Sequence, residues 1–208
     1  MTYEDFLPYV APSVNACPTI VAVHSIRQAA IEFCEKAQVW RERMDTLLAD
    51  GISTRYALPI DDQTEISKLL EVTVGVSGRQ PDTYDIMKPM DGRDSQRIQT
   101  SGRVAWTDNR RDIYLNPMPV EGAEIDVYVS LKPSLNSFSF PDDVFAHHVD
   151  PIAAGALARL LKMPKTDWYD VALAVDKRNE FMGAINTQGM AAHLGNGRSK
   201  RRSRTRWF

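Results

Sequence analysis

The sequence predicts an α+β protein: a helical bundle with an inserted small antiparallel β domain and an extended C-terminal tail. Apolar residues recur at helical spacing early in the chain and again after residue 138, and between these stretches they alternate with polar ones. The last eleven residues, RSKRRSRTRWF, hold six Lys or Arg and no acid. A chain of 208 residues is long enough to bury a core. Twelve prolines and eleven glycines leave collagen-like and low-complexity classes out.

Residues 1–17 read as an N-terminal arm, in which Tyr3, Phe6, Leu7, Tyr9 and Val10 are interrupted by Pro8 and Pro12. Residues 18–51 read as one long helix of the helical body. Pro18 suits its first turn, where an N–H has no partner to lose. Val23, Ile26, Ala30, Cys34, Ala37, Trp40, Met44 and Leu47 follow helical spacing, and Asp50-Gly51 supplies a stop.

Residues 52–137 read as the β-rich insertion, a sheet of four or five strands. Leu70, Val72, Val74 and Val76 alternate with Glu71, Thr73, Gly75 and Ser77. Arg103–Trp106 and Asp112–Leu115 flank a hairpin turn, and Ile125, Val127, Val129 and Leu131 share one face of a further strand. The stretch 79–102 has little periodicity and reads as a long loop, a candidate contact surface. Residues 138–194 return to helices. Pro141 opens a short one with Asp142 and Asp143 in its first turn. Pro151 implies a break near Asp150, Pro164 ends the next stretch, and Asp167 is the expected cap of the last helix.

No catalytic or metal-binding residues are assigned, and no cofactor is expected. His147 and His148 are adjacent, so on a helix they point about 100° apart and make a poor chelating pair with Asp150. His24 and His193 have no companions. No Walker loop, G-x-G-x-x-G or G-x-S-x-G occurs. The acidic doublets Asp61-Asp62 and Asp142-Asp143 are explained by capping. Cys17 and Cys34 form no disulfide framework and fit a reducing cytoplasm. The apolar run around Ile20–Val23 is far short of the roughly 18–20 residues of a membrane helix. Glu4 and Asp5 stand where a secretory signal would carry Lys or Arg, so neither a membrane partner nor export is expected.

The formal net charge of −2 conceals two different objects. With the six tail cations set aside, 19 basic residues face 27 acids, so residues 1–197 carry −8 and the end carries +6. Arg198, Lys200, Arg201, Arg202, Arg204 and Arg206 lead into Trp207 and Phe208, within a basic segment spanning 195–208. A nucleic-acid tail, a docking tail for an acidic protein and a solvated end are all compatible with this composition. The two terminal aromatics favour docking, because a purely electrostatic DNA tail does not need them.

Three stretches, in this order and spacing, resemble the head-to-tail adaptor (connector) proteins of tailed bacteriophages. They are Asn15-Ala-Cys-Pro18 through Arg27-Gln-Ala-Ala-Ile-Glu-Phe-Cys34 to Trp40; Ile113-Tyr-Leu-Asn-Pro-Met-Pro119 with the Ile125–Pro133 strand; and Ala154-Gly-Ala-Leu-Ala-Arg-Leu-Leu161 with Trp168 to Ile185. The resemblance implies a structural virion protein, not an enzyme. It implies a homo-oligomeric ring, commonly a dodecamer, in the virion neck, assembled in the host cytoplasm. The ring would sit beneath the portal protein and above tail or nozzle proteins, with genomic DNA passing through its channel. The basic tail would dock on the portal. Phe6, Leu7, Tyr9 and Val10 are the candidate subunit contact, since rings join one patch to a different patch on the neighbour. The alternative is a nucleic-acid-binding accessory protein that uses the same tail on phosphates.

Overall fold

A computed structural model describes residues 1–76, 78–87, 102–108 and 111–194. The arm folds as three short helical turns, of which Leu7–Val10 is α1. Helix α2 spans Thr19–Ala37 and stops where Gln38 turns left-handed, at φ 51° and ψ 42°, with its N–H on the Cys34 carbonyl. Strands β1 (Arg41–Arg43) and β2 (Leu47–Leu48) follow, then β3 (Arg55–Ala57) and the long β4 (Thr64–Gly75). Next come β5 (Asp82–Thr83), β6 (Asp85–Ile86), β7 (Val104–Thr107), β8 (Asp112–Asn116) and β9 (Glu124–Pro133). Helices α3 (Asp142–Phe145), α4 (Val149–Leu160) and α5 (Val171–Leu194) complete the order.

The expected helical bundle with a small inserted sheet is therefore corrected to a strand-rich α+β fold. Nine strands among the described residues form two sheets, one ordered β1-β9-β4-β5 with β2 also on β9, the other β3-β8-β7-β6. The largest departure is at residues 38–51, expected as the second half of a helix. Trp40, Met44 and Leu47 do fit helical spacing, but β9 needs a partner along its second edge. Arg41 lies opposite Ser130, Arg43 opposite Tyr128 and Leu47 opposite Ile125. Tertiary pairing overrides local propensity here.

Strand β9 is the axis of the molecule. On its other edge β4 pairs from Thr64 opposite Pro133 to Gly75 opposite Glu124. Two register shifts in β4, between Ile66 and Lys68 and between Leu69 and Glu71, make Leu69 the fully buried residue and leave Leu70 only half-buried. Ile125, Val127, Val129 and Leu131 are all buried, as their alternation predicts. Ser130 between them is buried as well, and Lys132 pairs with Glu35 of α2, so α2 covers the opposite face of this half of the strand. The β7–β8 hairpin has the expected antiparallel pairing. The expected loop 79–102 is corrected in its first part, where β5 pairs with β4 and β6 runs parallel to β7. Its residues 88–101 lie outside the described residues.

A single apolar core runs through all of this, from Tyr3 and Phe6 through Phe33, Val129 and Leu157 to Phe181 and Ile185. Helices α2, α4 and α5 pack on one another, and α2 also packs on β9 and β4. The break before α4 falls at 146–148, and Pro151 sits in that helix's first turn. The cap of α5 is Asp170 rather than Asp167. Its carboxylate accepts the Leu173 N–H at 3.0 Å, while the residues before it are held in a turn by Thr166 on the Met163 carbonyl.

Candidate functional site

The sequence placed its main site in the C-terminal tail. Arg198, Lys200, Arg201, Arg202, Arg204, Arg206, Trp207 and Phe208 lie outside the described residues. What the structure describes is the end of α5 that precedes them. The Arg41 guanidinium donates to the Gln38 carbonyl at 2.9 Å and to the Ala192 carbonyl at 2.6 Å. One cation thus satisfies carbonyls at the C-terminal ends of both α2 and α5, where the helix dipoles favour positive charge. A Cβ placed on Gly189 would stand 3.7 Å from the Ala37 Cα, so α5 runs directly against the end of α2.

Further along the same helices, three cations converge on one carboxylate. Arg178 of α5 grips Glu32 of α2 with two hydrogen bonds, 2.7 and 3.0 Å. Arg159 of α4 adds a bond at 2.7 Å and Lys36 one at 2.6 Å. Burial pushes the Glu32 carboxyl up, but hydrogen bonds from Arg178 and Lys36 outweigh it and bring its pKa down to about 2. The cluster locks three helices into one unit. Sequence periodicity placed Glu32 away from the apolar stripe of its helix and gave no hint of its partners, 127 and 146 residues distant.

The arm residues proposed as a subunit contact divide. Phe6 and Val10 are fully buried in this chain's own core, which corrects their assignment to a contact surface. Phe6 meets Phe140 edge-on, Tyr3 does the same at 4.5 Å between centroids, and Phe140 stacks on Phe145. Leu7 is half-buried. Tyr9 is the exposed member of the four, at 52%.

Other candidate chemistry disperses. Among the described residues no group of three or more His, Cys, Asp or Glu is arranged to hold a metal ion. His148 lies against the Phe33 ring, half-buried, and burial together with neighbouring His147 holds its imidazole below the ordinary pKa. Cys34 is fully buried, which pushes its thiol far up, and Cys17 is partly covered. Asp61 accepts the Gln63 N–H, and Asp142 pairs with the Met1 ammonium.

The structure brings together two further surfaces. The first is the loop 134–139. Ser134 and Ser137 are buried, while Leu135 and Phe138 stand out at 62% and 73% exposure. Gln63 Oε1 accepts the N–H groups of Phe138 and Ser139, and Arg27 Nη1 holds the Leu135 carbonyl at 2.9 Å. The second is a cleft of about 360 Å³ whose walls include Val74, Val76, Tyr84, Pro117, Met118 and Val120, with Arg79 and Arg103 on it. The only sequence signal for the loop is two large apolar residues in a serine-rich stretch without periodicity. The cleft takes Arg79 and Tyr84 from the stretch 79–102 that the sequence offered as a contact surface, but nothing in the sequence joins them to Val74, Val76 and residues 117–120.

No protein-family model and no curated protein matches the chain.

Proposed function

We propose that this chain is a structural component of a tailed-bacteriophage virion: a head-to-tail adaptor that forms a ring between portal and tail around the DNA channel, with its C-terminal tail docking on the portal. The observation that carries this reading is the division of charge along the chain. A body of −8 is followed by an end of +6 that closes on Trp207-Phe208. The helix before that end is anchored at its last turn by Arg41. Arginines that pair with carboxylates and aromatic side chains that fill pockets are the residues on which protein docking most depends. An acidic body suits a channel wall that must let DNA pass without holding it. The three stretches that resemble the adaptors supply α2, β8–β9 and α4–α5.

The test is removal of residues 198–208. The shortened protein should fold with an unchanged melting temperature and lose binding to portal rings in co-sedimentation, and retained binding rejects the docking role. The alternative, phosphate binding by the same tail, separates on W207A/F208A. Duplex-DNA affinity that survives this change and falls steeply with salt favours the nucleic-acid reading. Portal affinity that drops about thirtyfold, roughly 2 kcal/mol, favours docking.

A further inference from the structure

A loop that projects two apolar side chains and a cleft with one apolar wall lie at opposite ends of the β4–β9 ribbon, and we propose that they form a contact between copies of this chain. Leu135 and Phe138 of one copy enter the cleft bounded by Val74, Val76, Pro117, Met118, Pro119 and Val120 of the next. This rests on the self-association part of the reading above and names the surfaces that meet.

The projecting side is fixed by the fold. Ser137 bonds the Ser134 carbonyl through both its N–H, at 3.2 Å, and its hydroxyl, at 2.8 Å. The Ser137 hydroxyl also bonds that of Tyr3, the Ser134 N–H is on the Gln63 carbonyl, and the Gln63 side chain and Arg27 hold the rest. A loop tied along its length cannot turn Leu135 and Phe138 inward, so both stay in water in the lone chain. Little ordering remains to be done when they bind. The receiving side is a cleft of mixed lining: Val74, Val76 and the segment 117–120 make one apolar wall, on which Val76, Met118 and Val120 are exposed, and Arg79, Gln80, Asp82 and Arg103 line the rest. Its volume of about 360 Å³ falls in the range of roughly 300–1,000 Å³ typical of preformed pockets. That leaves room for an aromatic and a branched aliphatic side chain.

The occupant is a second copy because the chain cannot reach its own cleft. Pro133 pairs with Thr64 and the loop leaves from that end, whereas Val74 and Gly75 lie at the other, opposite Ile125 and Glu124. The length of β4 puts the two features roughly 35 Å apart on a continuous ribbon. Charge at the rims agrees. Exposed Asp61 sits beside the loop, where Gln63 fastens it; in the cleft Asp82 is paired with Arg103 at 2.8 Å, which leaves exposed Arg79 as the net positive charge on its border. Two different patches joined in this way make a heterologous contact, which repeats into a ring or a filament.

The experiment uses two full-length variants, L135S/F138S and M118E/V120E, both at exposed side chains and both checked by circular dichroism and melting. The single changes F138S and V120E replace either pair if it does not fold. In sedimentation velocity the wild-type chain should associate beyond the dimer, and each variant alone should associate at least tenfold more weakly. An equimolar mixture of the two should form a 1:1 dimer that grows no further, because one intact loop meets one intact cleft and the remaining pair is disabled. A variant that assembles like wild type overturns the proposal and leaves ring formation standing through other surfaces. A mixture that stays monomeric also overturns it. A wild-type chain monomeric at every concentration overturns both the contact and unaided ring formation, whatever the tail deletion reports on portal binding.

Discussion

Glu32 and Arg178 meet through two hydrogen bonds across 146 positions of sequence, and this pair joins the first long helix to the last. Arg159 and Lys36 share the same carboxylate, so a single acid neutralises part of three cations. Removing that acid leaves the cations facing one another at a helix junction.

Glu32→Gln should therefore destabilise the protein by about 2 kcal/mol, through weakened charge-assisted bonds and mutual repulsion of Lys36, Arg159 and Arg178. For a chain of this size that corresponds to a fall in melting temperature of roughly 4–8 °C. Differential scanning calorimetry at neutral pH measures it, and an unchanged melting temperature would show the cluster to be energetically idle.

Acid should expose the same carboxylate. Its pKa lies at about 2 in the folded chain against an ordinary 4.5, so the ionised form is favoured by folding. The stability it contributes is complete above about 4.5 and is lost as pH falls toward 2. Asp50 is also held low, by the Ser53 hydroxyl and the Ile52 and Ser53 N–H groups, so Glu32 is not the sole contributor. Urea midpoints measured across this window should fall steeply in wild type and less steeply in Glu32→Gln.

Gly155→Ala tests the packing of α4 on α5. A Cβ at this position would lie 2.8 Å from two ring carbons of Phe181, closer than real contacts allow. Phe181 is fully buried and also faces Phe33, so its ring has no open side to yield into. The substitution should cost about 2 kcal/mol. Adding Phe181→Leu relieves the clash, so the double variant should lose at least about 1 kcal/mol less than the sum of the single losses in urea titration.

The two thiols should behave differently. Cys34 is wholly enclosed and burial raises its pKa, whereas Cys17 is only partly covered. At pH 8 a disulfide reagent should label one thiol of the native chain, Cys17, and reach Cys34 only as the protein unfolds. Mass spectrometry of the labelled peptides checks the assignment, and prompt native labelling of Cys34 would contradict the packing around α2.

What the sequence made legible was local. Alternation at Ile125–Leu131 located β9 and its buried face, the β7–β8 pairing was signalled by its two flanking strands, and Pro141 marked the start of α3 at Asp142, while Pro151 fell two residues inside α4. What it hid depended on partners far away. Trp40, Met44 and Leu47 satisfy a helical period, yet the free edge of β9 recruits the segment that holds them and pairs Arg41–Arg43 and Leu47–Leu48 as strands. Leu70 continues an alternating run, yet a bulge hands its place in the core to Leu69. Phe6 and Val10 read as part of a packed, proline-broken arm and as a candidate subunit contact, because Phe140, which covers Phe6, lies more than 130 positions away. The Leu135–Phe138 loop and the cleft are surfaces, and periodicity speaks only of interiors.

The central place of β9 also governs the order in which this protein can be made. Its partners β1, β2 and β4 leave the ribosome long before it, and none of the three pairs with another of them. At roughly 5–20 residues per second, the stretch between β1 and the end of β9 takes about 5–18 s to synthesise. During that time the edges of β1, β2 and β4 that β9 will pair have no partner strand. A nascent chain stalled before residue 124 should therefore be a target for chaperones or proteases, and one extended past residue 133 should become protected.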